Sequence, residues 1–573
     1  MRALRLWPWL AAIASGYFCA ACFAPFSQTW LCWIALTPLL AAIWFSGENS
    51  KRRWLRDLFL GYVAGLAFFW TVFFWLRTVT VPGWVLVGFY MAIYFAAWSW
   101  LCGRLRSGTP KIAVTAALSR RAEETPNDAS TQRGGYGVTQ PNESLSNQSP
   151  WLRSTKNLGL AFLLASAWVT QEMLRSLVLT GWGWNSLGSA LHGQIALIQI
   201  TEFTGVAGLS FVVAFTNVIA VATVRRFILE IQARPIRPHY DLTLTMVALV
   251  GLMAYGLHVL QLHRPAKKLR VAAIQANIPR EHKFNREFAQ TIFNQFTRLS
   301  EIAVRPESPP DLLVWPESSM PGPVLQDPTS NQFVMEFSAG AKTDLLLGTI
   351  QVEEERVYNA ALLVSDGGQR VQIYRKVHLV PFGEYIPGRH VVPLLAKIVG
   401  DQVPDDFAFG TEHTVLQLTD DKARVAPLIC FEDTIGDLTR QFVLGGANLL
   451  ANVTNDGWFL RSAGSQQHLD NAVFRCVETR RPMVRAANTG VTCFISEFGR
   501  ITQRLMDDTG SQFTEGVLIS EVAIPTGGEL TFYTRHGELF AKGCAGVTMM
   551  TLFACSIQIV RRKRSREATP QIS

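Results

Sequence analysis

Charged residues are scarce in this sequence. Asp, Glu, Lys and Arg make up 17% of its 573 residues, against about 25% in ordinary soluble domains. Hydrophobic residues reach 49%, and the chain carries 35 Phe and 17 Trp. This composition excludes a disordered or fibrous chain and argues against a wholly soluble one. The chain also lacks a repeat of fixed period and a G-x-x-x-x-G-K-[ST] pattern, so we expect no nucleotide-binding loop.

Cysteine is also sparse, with nine residues, an odd number. Six of them lie in strongly apolar stretches, namely Cys19, Cys22, Cys32, Cys102, Cys544 and Cys555. A disulfide framework is therefore not expected. The Cys19-Ala-Ala-Cys22 pair lies in an apolar run without His or carboxylate neighbours, which indicates packing rather than metal binding. We predict no metal and no cofactor.

Long apolar runs predict a multispan α-helical membrane bundle, since a transmembrane helix needs about 17–25 residues. Eight runs qualify, and they lie near residues 7–25, 29–46, 57–77, 82–102, 157–178, 205–224, 242–262 and 540–560. The fifth run is interrupted by polar residues, because Gln171, Glu172 and Arg175 lie near its end. A short basic segment before the first run also fits a cleaved signal peptide, but we favour a retained span because the second run follows almost at once.

Basic residues occupy every second connection between these runs. They precede the first run and follow the second, fourth, sixth and eighth, whereas connections 25–28 and 78–81 carry almost no charge. This is the positive-inside pattern, which predicts that both termini are cytoplasmic and that the polar stretch between runs seven and eight lies outside. The net charge of +9 is thus a topology signal, and we expect no nucleic-acid partner.

The chain therefore divides into six predicted segments. They are spans one to four (1–102), a disordered cytoplasmic linker (103–156), spans five to seven (157–264), an outer domain (268–525), span eight (538–560) and a basic cytoplasmic tail (561–573). The linker is rich in Ser, Thr, Asn, Gln, Gly and Pro, a composition that cannot bury enough apolar surface to fold. Two aromatic residues after span five, Trp182 and Trp184, fit either the interfacial aromatic belt or ordinary packing between this loop and the bundle.

The outer segment alternates short apolar runs with helical patterns, which predicts an α/β domain. Strands are expected at 269–276, 311–317, 344–350, 359–366, 424–432, 448–455 and 483–495, and helices at 286–304, 330–340, 433–444 and 465–480. Several strands are continuous hydrophobic runs, so both faces of the sheet are expected to be covered.

Three residues with complementary chemistry stand where predicted strands run out. Glu317 ends LLVWPE, Lys376 follows QIYR, and Cys430 ends VAPLIC. A carboxylate can take the proton of a thiol, while an ammonium lowers the thiol pKa and stabilises charge on an attacked carbonyl. Each residue alone is commonly a structural or surface group, but together they suffice for acyl transfer. His378 or His468 could instead serve as the base in a Cys–His arrangement.

The sequences around these residues resemble the catalytic blocks of the carbon–nitrogen hydrolase (nitrilase) superfamily. These are WPES (315–318), YRKVHLVPFGEYIP (374–387) and ICFED (429–433). The phrase KVHLVPFGEYIP, joined to a multispan bundle with one closing span, resembles the apolipoprotein N-acyltransferase family in particular. Phe431 is a departure, because tyrosine is commoner after the cysteine.

This resemblance implies an α-β-β-α sandwich facing the periplasm, carried by eight transmembrane helices of an inner membrane. It implies Glu317 as general base, Lys376 as stabilising cation and Cys430 as nucleophile, with Glu384 and Glu432 supporting Lys376 and the attacked carbonyl. The backbone N–H of Phe431 is a candidate oxyanion donor. The implied reaction moves an acyl chain from a membrane phospholipid, through a Cys430 thioester, to the amine of a diacylglyceryl-cysteine apolipoprotein.

Two other functions use parts of the same pattern. A membrane-tethered amidase or nitrilase would keep the chemistry and let water resolve the thioester, although eight spans exceed what tethering needs. A transporter or scaffold with a non-catalytic outer module would require ionisable residues along a membrane path, and few are present.

Overall fold

The computed structural model describes residues 3–46, 52–105, 149–230, 238–283, 285–304, 309–389 and 405–567. Most of the predicted linker (106–148) and the end of the basic tail (568–573) lie outside these ranges. The bundle helices that precede the α/β domain are α1 (Ala3–Ala21), α2 (Thr37–Phe45), α3 (Arg53–Val72), α4 (Val81–Leu105), α5 (Pro150–Arg175), α6 (Val206–Glu230) and α7 (Tyr240–Val259).

The α/β domain follows, and one long helix closes the chain. The domain's longer helices are α8 (Ala289–Val304), α9 (Pro328–Ala341), α10 (Gly436–Leu444) and α11 (Gly464–Thr479), and the closing helix is α12 (Leu539–Glu567). The strands of the α/β domain are β1 (Ala266–Gln275), β2 (Leu312–Val314), β3 (Asp344–Glu353), β4 (Arg356–Ser365), β5 (Arg370–Arg375), β6 (Leu416–Gln417), β7 (Arg424–Ile429), β8 (Leu449–Thr454), β9 (Met483–Ala487), β10 (Cys493–Ile495), β11 (Ile501–Arg504) and β12 (Gly516–Pro525).

Five helices within the described ranges are long and apolar enough to cross a membrane. They are Arg53–Val72, Val81–Leu105, Val206–Ile228, Tyr240–Val259 and Leu539–Arg561. The predicted second span is not one continuous helix, because a 3-10 turn (Thr29–Trp33) is followed by α2, with Pro38 in its first turn. α5 is long but carries charged and polar residues near both ends, which lowers its hydropathy.

α5 begins inside the segment predicted to be a disordered linker, so the predicted end of the linker at residue 156 is wrong. The side chain of Ser149 caps the helix by accepting a hydrogen bond from the N–H of Leu152 at 3.2 Å, and Pro150 occupies its first turn. Both are common helix-start signals. Residues 150–156 are therefore helical rather than part of a disordered segment.

Two six-stranded sheets pack face to face in the α/β domain. Their strand orders are β12-β1-β2-β3-β4-β5 and β11-β10-β9-β8-β7-β6. Alternate side chains of the first sheet point to opposite sides: Val271 and Ala273 join the apolar core shared with the second sheet, whereas Ala272 and Ile274 pack with α8 and α9. The period of two along each strand thus covers both faces of the sheet, as the hydrophobic runs predict.

Some predicted strands differ from the observed ones in their bounds. Residues 483–495 form two antiparallel strands, β9 and β10, joined by a tight loop at 488–492. Gly490 in that loop has a φ of +107° and lies against Asp456, so the turn needs a residue without a Cβ. The predicted strand 311–317 is also shorter, because β2 ends at Val314.

The helix α11 joins the two parts of the molecule. All but one of its residues are buried, and it lies between the second sheet and the bundle. The amide of Gln467 accepts hydrogen bonds from Trp75 at 2.9 Å and Asn185 at 2.8 Å. It donates to the main-chain oxygens of Ala24 at 2.7 Å and Val72 at 3.0 Å. One buried side chain therefore connects three segments of the bundle to the α/β domain.

Replacing Gln467 by Leu tests this connection. The buried indole and amide donors of Trp75 and Asn185 would lose their acceptor, which typically costs about 1–3 kcal/mol for each unsatisfied group. We expect a lower midpoint of thermal unfolding in detergent micelles. Gln332→Leu on the exposed face of α9 is the matched control, and equal midpoints for the two variants would contradict the assignment.

Candidate active site

The three residues singled out from the sequence meet at one end of the sandwich. Lys376 directly follows β5 and Cys430 directly follows β7, whereas Glu317 lies three residues beyond the end of β2. β2 and β7 belong to different sheets, so the groups converge across the interface between the sheets. Each of the three is at least partly buried, and the charges of Glu317 and Lys376 both act on the pKa of Cys430.

The backbone at Cys430 adopts a conformation that non-glycine residues rarely use. Its φ is +51°, in the left-handed region, at the start of a 3-10 turn (Cys430–Thr434). Such a residue costs on the order of 1–3 kcal/mol unless its surroundings hold it. Here the carbonyl of Cys430 accepts a hydrogen bond from Nδ2 of Asn452 at 3.0 Å, and a ring nitrogen of His468 lies 3.3 Å away. The chain therefore leaves β7 in a sharp turn with the cysteine at its apex.

Glu432 connects this turn to residues 374–378 around Lys376, which we call the lysine segment. Its Oε1 accepts hydrogen bonds from the hydroxyl of Tyr374 at 2.8 Å and from the N–H groups of Val377 at 2.9 Å and His378 at 3.0 Å. Its Oε2 accepts from the N–H of Ile429 at 2.9 Å. Burial raises the pKa of Glu432 to about 7, although Lys376 opposes the shift. Glu432 thus fixes the backbone on either side of the site.

Glu384 and Asn359 hold the lysine against the proposed base. The Lys376 ammonium contacts both carboxylate oxygens of Glu384, at 2.9 and 2.8 Å. The Asn359 amide donates to Oε1 of Glu384 at 2.7 Å and to Oε1 of Glu317 at 2.8 Å. Asn359 was not predicted as a site residue, because a polar residue at the start of an apolar run looks ordinary in the sequence.

The pKa shifts follow from burial and from these contacts. Burial favours the neutral form of Lys376, but the carboxylates, Glu384 foremost, outweigh it and raise its pKa, so the ammonium persists at neutral pH. Burial, reinforced by the charge of Glu317, raises the pKa of Cys430, so the resting thiol is protonated. Burial also raises the pKa of Glu317 against the opposing effect of Lys376. A protonated thiol beside a carboxylate of raised pKa is suited to proton transfer.

Comparison with known proteins identifies the family. The carbon–nitrogen hydrolase model matches residues 270–531, and the "Apolipoprotein N-acyltransferase N-terminal domain" model matches residues 15–124 and 146–219. The apolipoprotein N-acyltransferase of Geobacter metallireducens is 33% identical over 564 residues, which cover 95% of this chain and 95% of its own. This chain belongs to the apolipoprotein N-acyltransferase family. It is an acyltransferase, and the resemblance drawn from the three motifs is confirmed.

Further relatives and solved structures match smaller parts of the chain. The apolipoprotein N-acyltransferase of Pseudomonas aeruginosa is 33% identical over 410 residues, covering 70% of this chain and 74% of its own. That of Allorhizobium ampelinum is 28% identical over 510 residues, covering 86% of each chain. A CN-hydrolase superfamily protein from Xanthomonas campestris, whose structure is solved, is 16% identical, with a TM-score of 0.35 over 45% of this chain and 91% of its own.

In this family member a second polar cluster lies behind the cysteine. His468 contacts Asp433 through Nε2 at 2.8 Å and Asp456 through Nδ1 at 2.9 Å. Burial favours the neutral imidazole, but the adjacent Asp433 carboxylate outweighs it and raises the pKa of His468. Arg485 also bonds both aspartates. Since both nitrogens of His468 are engaged by carboxylates, His468 is poorly suited to act as the base for Cys430.

His378 is the other alternative base. Burial, together with the charge of Lys376, lowers its pKa to about 4, and its ring stacks on Phe431 with the centroids 5.7 Å apart. A group of such low pKa is a weak proton acceptor at neutral pH. Within the part of the chain that the structure describes, no group of three His, Cys, Asp or Glu side chains is arranged to hold a metal ion.

The bundle forms one wall of the acyltransferase site. Trp184 stacks on Phe431 with the ring centroids 5.8 Å apart and an interplanar angle of 12°, and Trp182 contacts the same ring at 5.9 Å. Trp184 is buried, so its predicted place in an interfacial aromatic belt is wrong. Its ring instead packs on the residue that follows the cysteine, because the loop after α5 folds over the turn at 430–434.

Replacing Asn359 by Leu tests the link between Glu317 and Glu384. The variant keeps the branched shape of the side chain but leaves both carboxylates without their shared donor, so Lys376 and Glu317 can separate. A misplacement of about 1 Å in such a site typically costs on the order of 100-fold in rate. We expect that loss in single-turnover acyl-enzyme formation. Asn294→Leu on the exposed face of α8 is the control, and equal rates for the two variants would refute the role.

Proposed function

We propose that the chain transfers an acyl group from a membrane phospholipid, through a thioester on Cys430, to the N-terminal amine of a diacylglyceryl-cysteine apolipoprotein. The observation that carries this proposal is the half-buried thiol on a sharp turn, with Glu317 and Lys376 both acting on its pKa. Membership of the apolipoprotein N-acyltransferase family supports the substrates.

In the proposed first step Glu317 takes the thiol proton and the sulfur attacks the ester carbonyl of the phospholipid. The ammonium of Lys376 and the N–H of Phe431 stabilise the resulting oxyanion. When the carbon–oxygen bond breaks, the alcohol oxygen takes the proton from Glu317, and a lysophospholipid leaves. Glu384 keeps Lys376 in place, and Glu432 keeps the turn and the lysine segment together.

In the second step the amine of the lipoprotein attacks the thioester. Glu317 accepts a proton from the amine nitrogen, and the carbon–sulfur bond breaks to give the N-acyl amide. The sulfur leaves as a thiolate and regains its proton from Glu317. A thioester is reactive enough to acylate an amine directly, so the reaction needs no nucleotide.

The proposed membrane arrangement retains eight spans. To the five long apolar helices it adds α1, the interrupted segment 29–46 and α5. The alternation of basic connections supports cytoplasmic termini and a periplasmic α/β domain in the inner membrane. The proposed divisions remain 1–102, 103–156, 157–264, 268–525, 538–560 and 561–573, with the helical start of α5 trimming the linker to end near 149.

The purified protein should be incubated with phospholipid labelled in its acyl chain. We expect one acyl group on the protein by intact-mass spectrometry, and adding a diacylated lipopeptide should move the label to the peptide amine. Cys430→Ala should abolish both signals, whereas Cys476→Ala, which removes a buried thiol in α11, should keep them.

Each alternative function predicts a different result. Release of the label as free fatty acid at the same rate with and without lipopeptide would indicate hydrolysis, as a membrane-tethered amidase would perform. An acyl-enzyme that persists in Cys430→Ala would overturn the assignment of the nucleophile. No acyl-enzyme with any labelled phospholipid would favour a non-catalytic module.

A further inference from the structure

The active site contains a second buried lysine that the proposed mechanism does not use. Lys283 is 2% exposed, and its ammonium donates a hydrogen bond to the main-chain carbonyl of Glu317 at 2.6 Å. Among the residues that the structure describes, no carboxylate forms an ion pair with it. A buried cation without a direct counterion is costly, so its position beside the proposed base requires a reason.

The backbone around Lys283 directs its side chain into the site. After β1 the chain forms a tight turn in which the N–H of Lys283 donates to the carbonyl of Arg280 at 3.3 Å. The Asn488 amide donates to the carbonyl of Ile278 at 2.9 Å and fixes the entry to this turn. At the other side, the guanidinium of Arg280 lies 3.6 Å from the ring centroid of Trp458. The turn is held from both sides, with Arg280 over Trp458 and Lys283 against Glu317.

The two lysines of the site differ in their charge partners. Lys376 contacts both oxygens of Glu384 and keeps its proton. Burial lowers the pKa of Lys283 to about 8, opposed by the charges of Glu317 and Cys430. These two groups are therefore close enough for their charge to act on Lys283. Lys376 is a permanent cation, whereas the charge of Lys283 changes close to neutral pH.

We infer that Lys283 is a second positioning cation of this active site, which holds the main chain at Glu317 and adds positive charge beside Glu317 and Cys430. That charge keeps Glu317 ionised in the resting enzyme and stabilises the thiolate as the thiol loses its proton. Lys283 acts through these two residues rather than on the substrate. The inference rests on the proposed function, because it needs Glu317 as base and Cys430 as nucleophile.

The sign of the pH dependence follows from the lowered pKa. Below about pH 8 Lys283 is an ammonium and supports the thiolate, and above it the neutral amine no longer does. Acyl-enzyme formation should therefore fall to a lower plateau as the pH rises through 8. The charged groups facing Lys283 from other elements are Glu317 and Cys430, and its own turn carries Arg280, Glu281 and His282.

Three other groups of the site have pKa values too far from 8 to produce this change. The pKa of His378 is lowered to about 4, and those of Cys430 and Lys376 are raised away from neutrality. The pKa of Glu432, about 7, lies at the lower edge of the pH range in which the rate should fall. Its titration affects the rates of the wild type and of any Lys283 variant alike. The difference between the wild type and such a variant therefore isolates Lys283.

The experiment compares the wild type with Lys283→Met from pH 6.5 to 9.5. Single-turnover acylation by labelled phospholipid is followed by intact-mass spectrometry. Near pH 7 we expect the variant to be about tenfold slower, which corresponds to about one unit in the pKa of the thiol. Near pH 9.5 the two rates should converge, because the wild-type lysine is then neutral. Lys268→Met, at an exposed lysine of β1, should follow the wild type throughout.

Each other outcome overturns the inference. Rates that differ by the same factor at every pH would assign Lys283 a structural role only. A wild-type profile without a fall between pH 7 and 9 would contradict it whether or not the variant folds. If Lys283→Met fails to fold, Lys283→Arg, which keeps its charge, should lose the alkaline fall, and a retained fall would count against the inference. Absence of any acyl-enzyme on wild-type Cys430 would instead reject the proposed function itself.

Discussion

The proposed site depends on one electrostatic constraint: the half-buried thiol of Cys430 must form an anion to react as proposed. Burial raises the pKa of Cys430 and makes the thiolate costly in the resting enzyme. The surrounding structure offsets that cost with a cation that cannot readily lose its proton, because Glu384 contacts the Lys376 ammonium through both carboxylate oxygens. Asn359 extends the chain of contacts to Glu317, so the proposed base and the Lys376 cation are held as one unit.

Several non-glycine residues near the site also have positive φ. Besides Cys430, the left-handed region contains Asn277, Ser318 and Phe382, in the loops that follow β1, β2 and the lysine segment. Ser318 is next to Glu317, and Phe382 lies two residues before Glu384. Each such turn changes the direction of the chain within one residue. The sandwich provides strands rigid enough to hold these turns, which isolated loops could not maintain.

Much of this arrangement was predictable, because its main signals are local. The apolar runs predicted the long helices α3, α4, α6, α7 and α12, and the alternation of strands and helices predicted the α/β domain. The motifs around Glu317, Lys376 and Cys430 predicted the family. These features need only a few neighbouring residues to be visible, and they do not depend on distant pairing.

Features that depend on distant contacts were missed. β12 pairs with β1 across nearly the whole of the α/β domain's sequence, from Ala266 to Pro525, and its alternating pattern carries no partner information. Asn359 and Lys283 look like ordinary polar residues until the fold brings them to Glu317. Trp184 fitted an interfacial belt by its position after α5, and only the packing of the bundle on the turn at 430–434 gives it a different role.

The direct contact between the bundle and the nucleophile turn has a consequence for substrate choice. A domain tethered by one helix could hold the same catalytic groups, but its site would open to water on every side. Here Trp182 and Trp184 pack on Phe431, and Gln467 joins three bundle segments to the α11 helix behind the site. Since α11 also carries His468, which contacts the carbonyl of Cys430, the bundle and the proposed nucleophile share one rigid support. The proposed transfer of an acyl chain from a bilayer needs that coupling, because the wall that faces the lipid and the sulfur that reacts must keep a fixed separation.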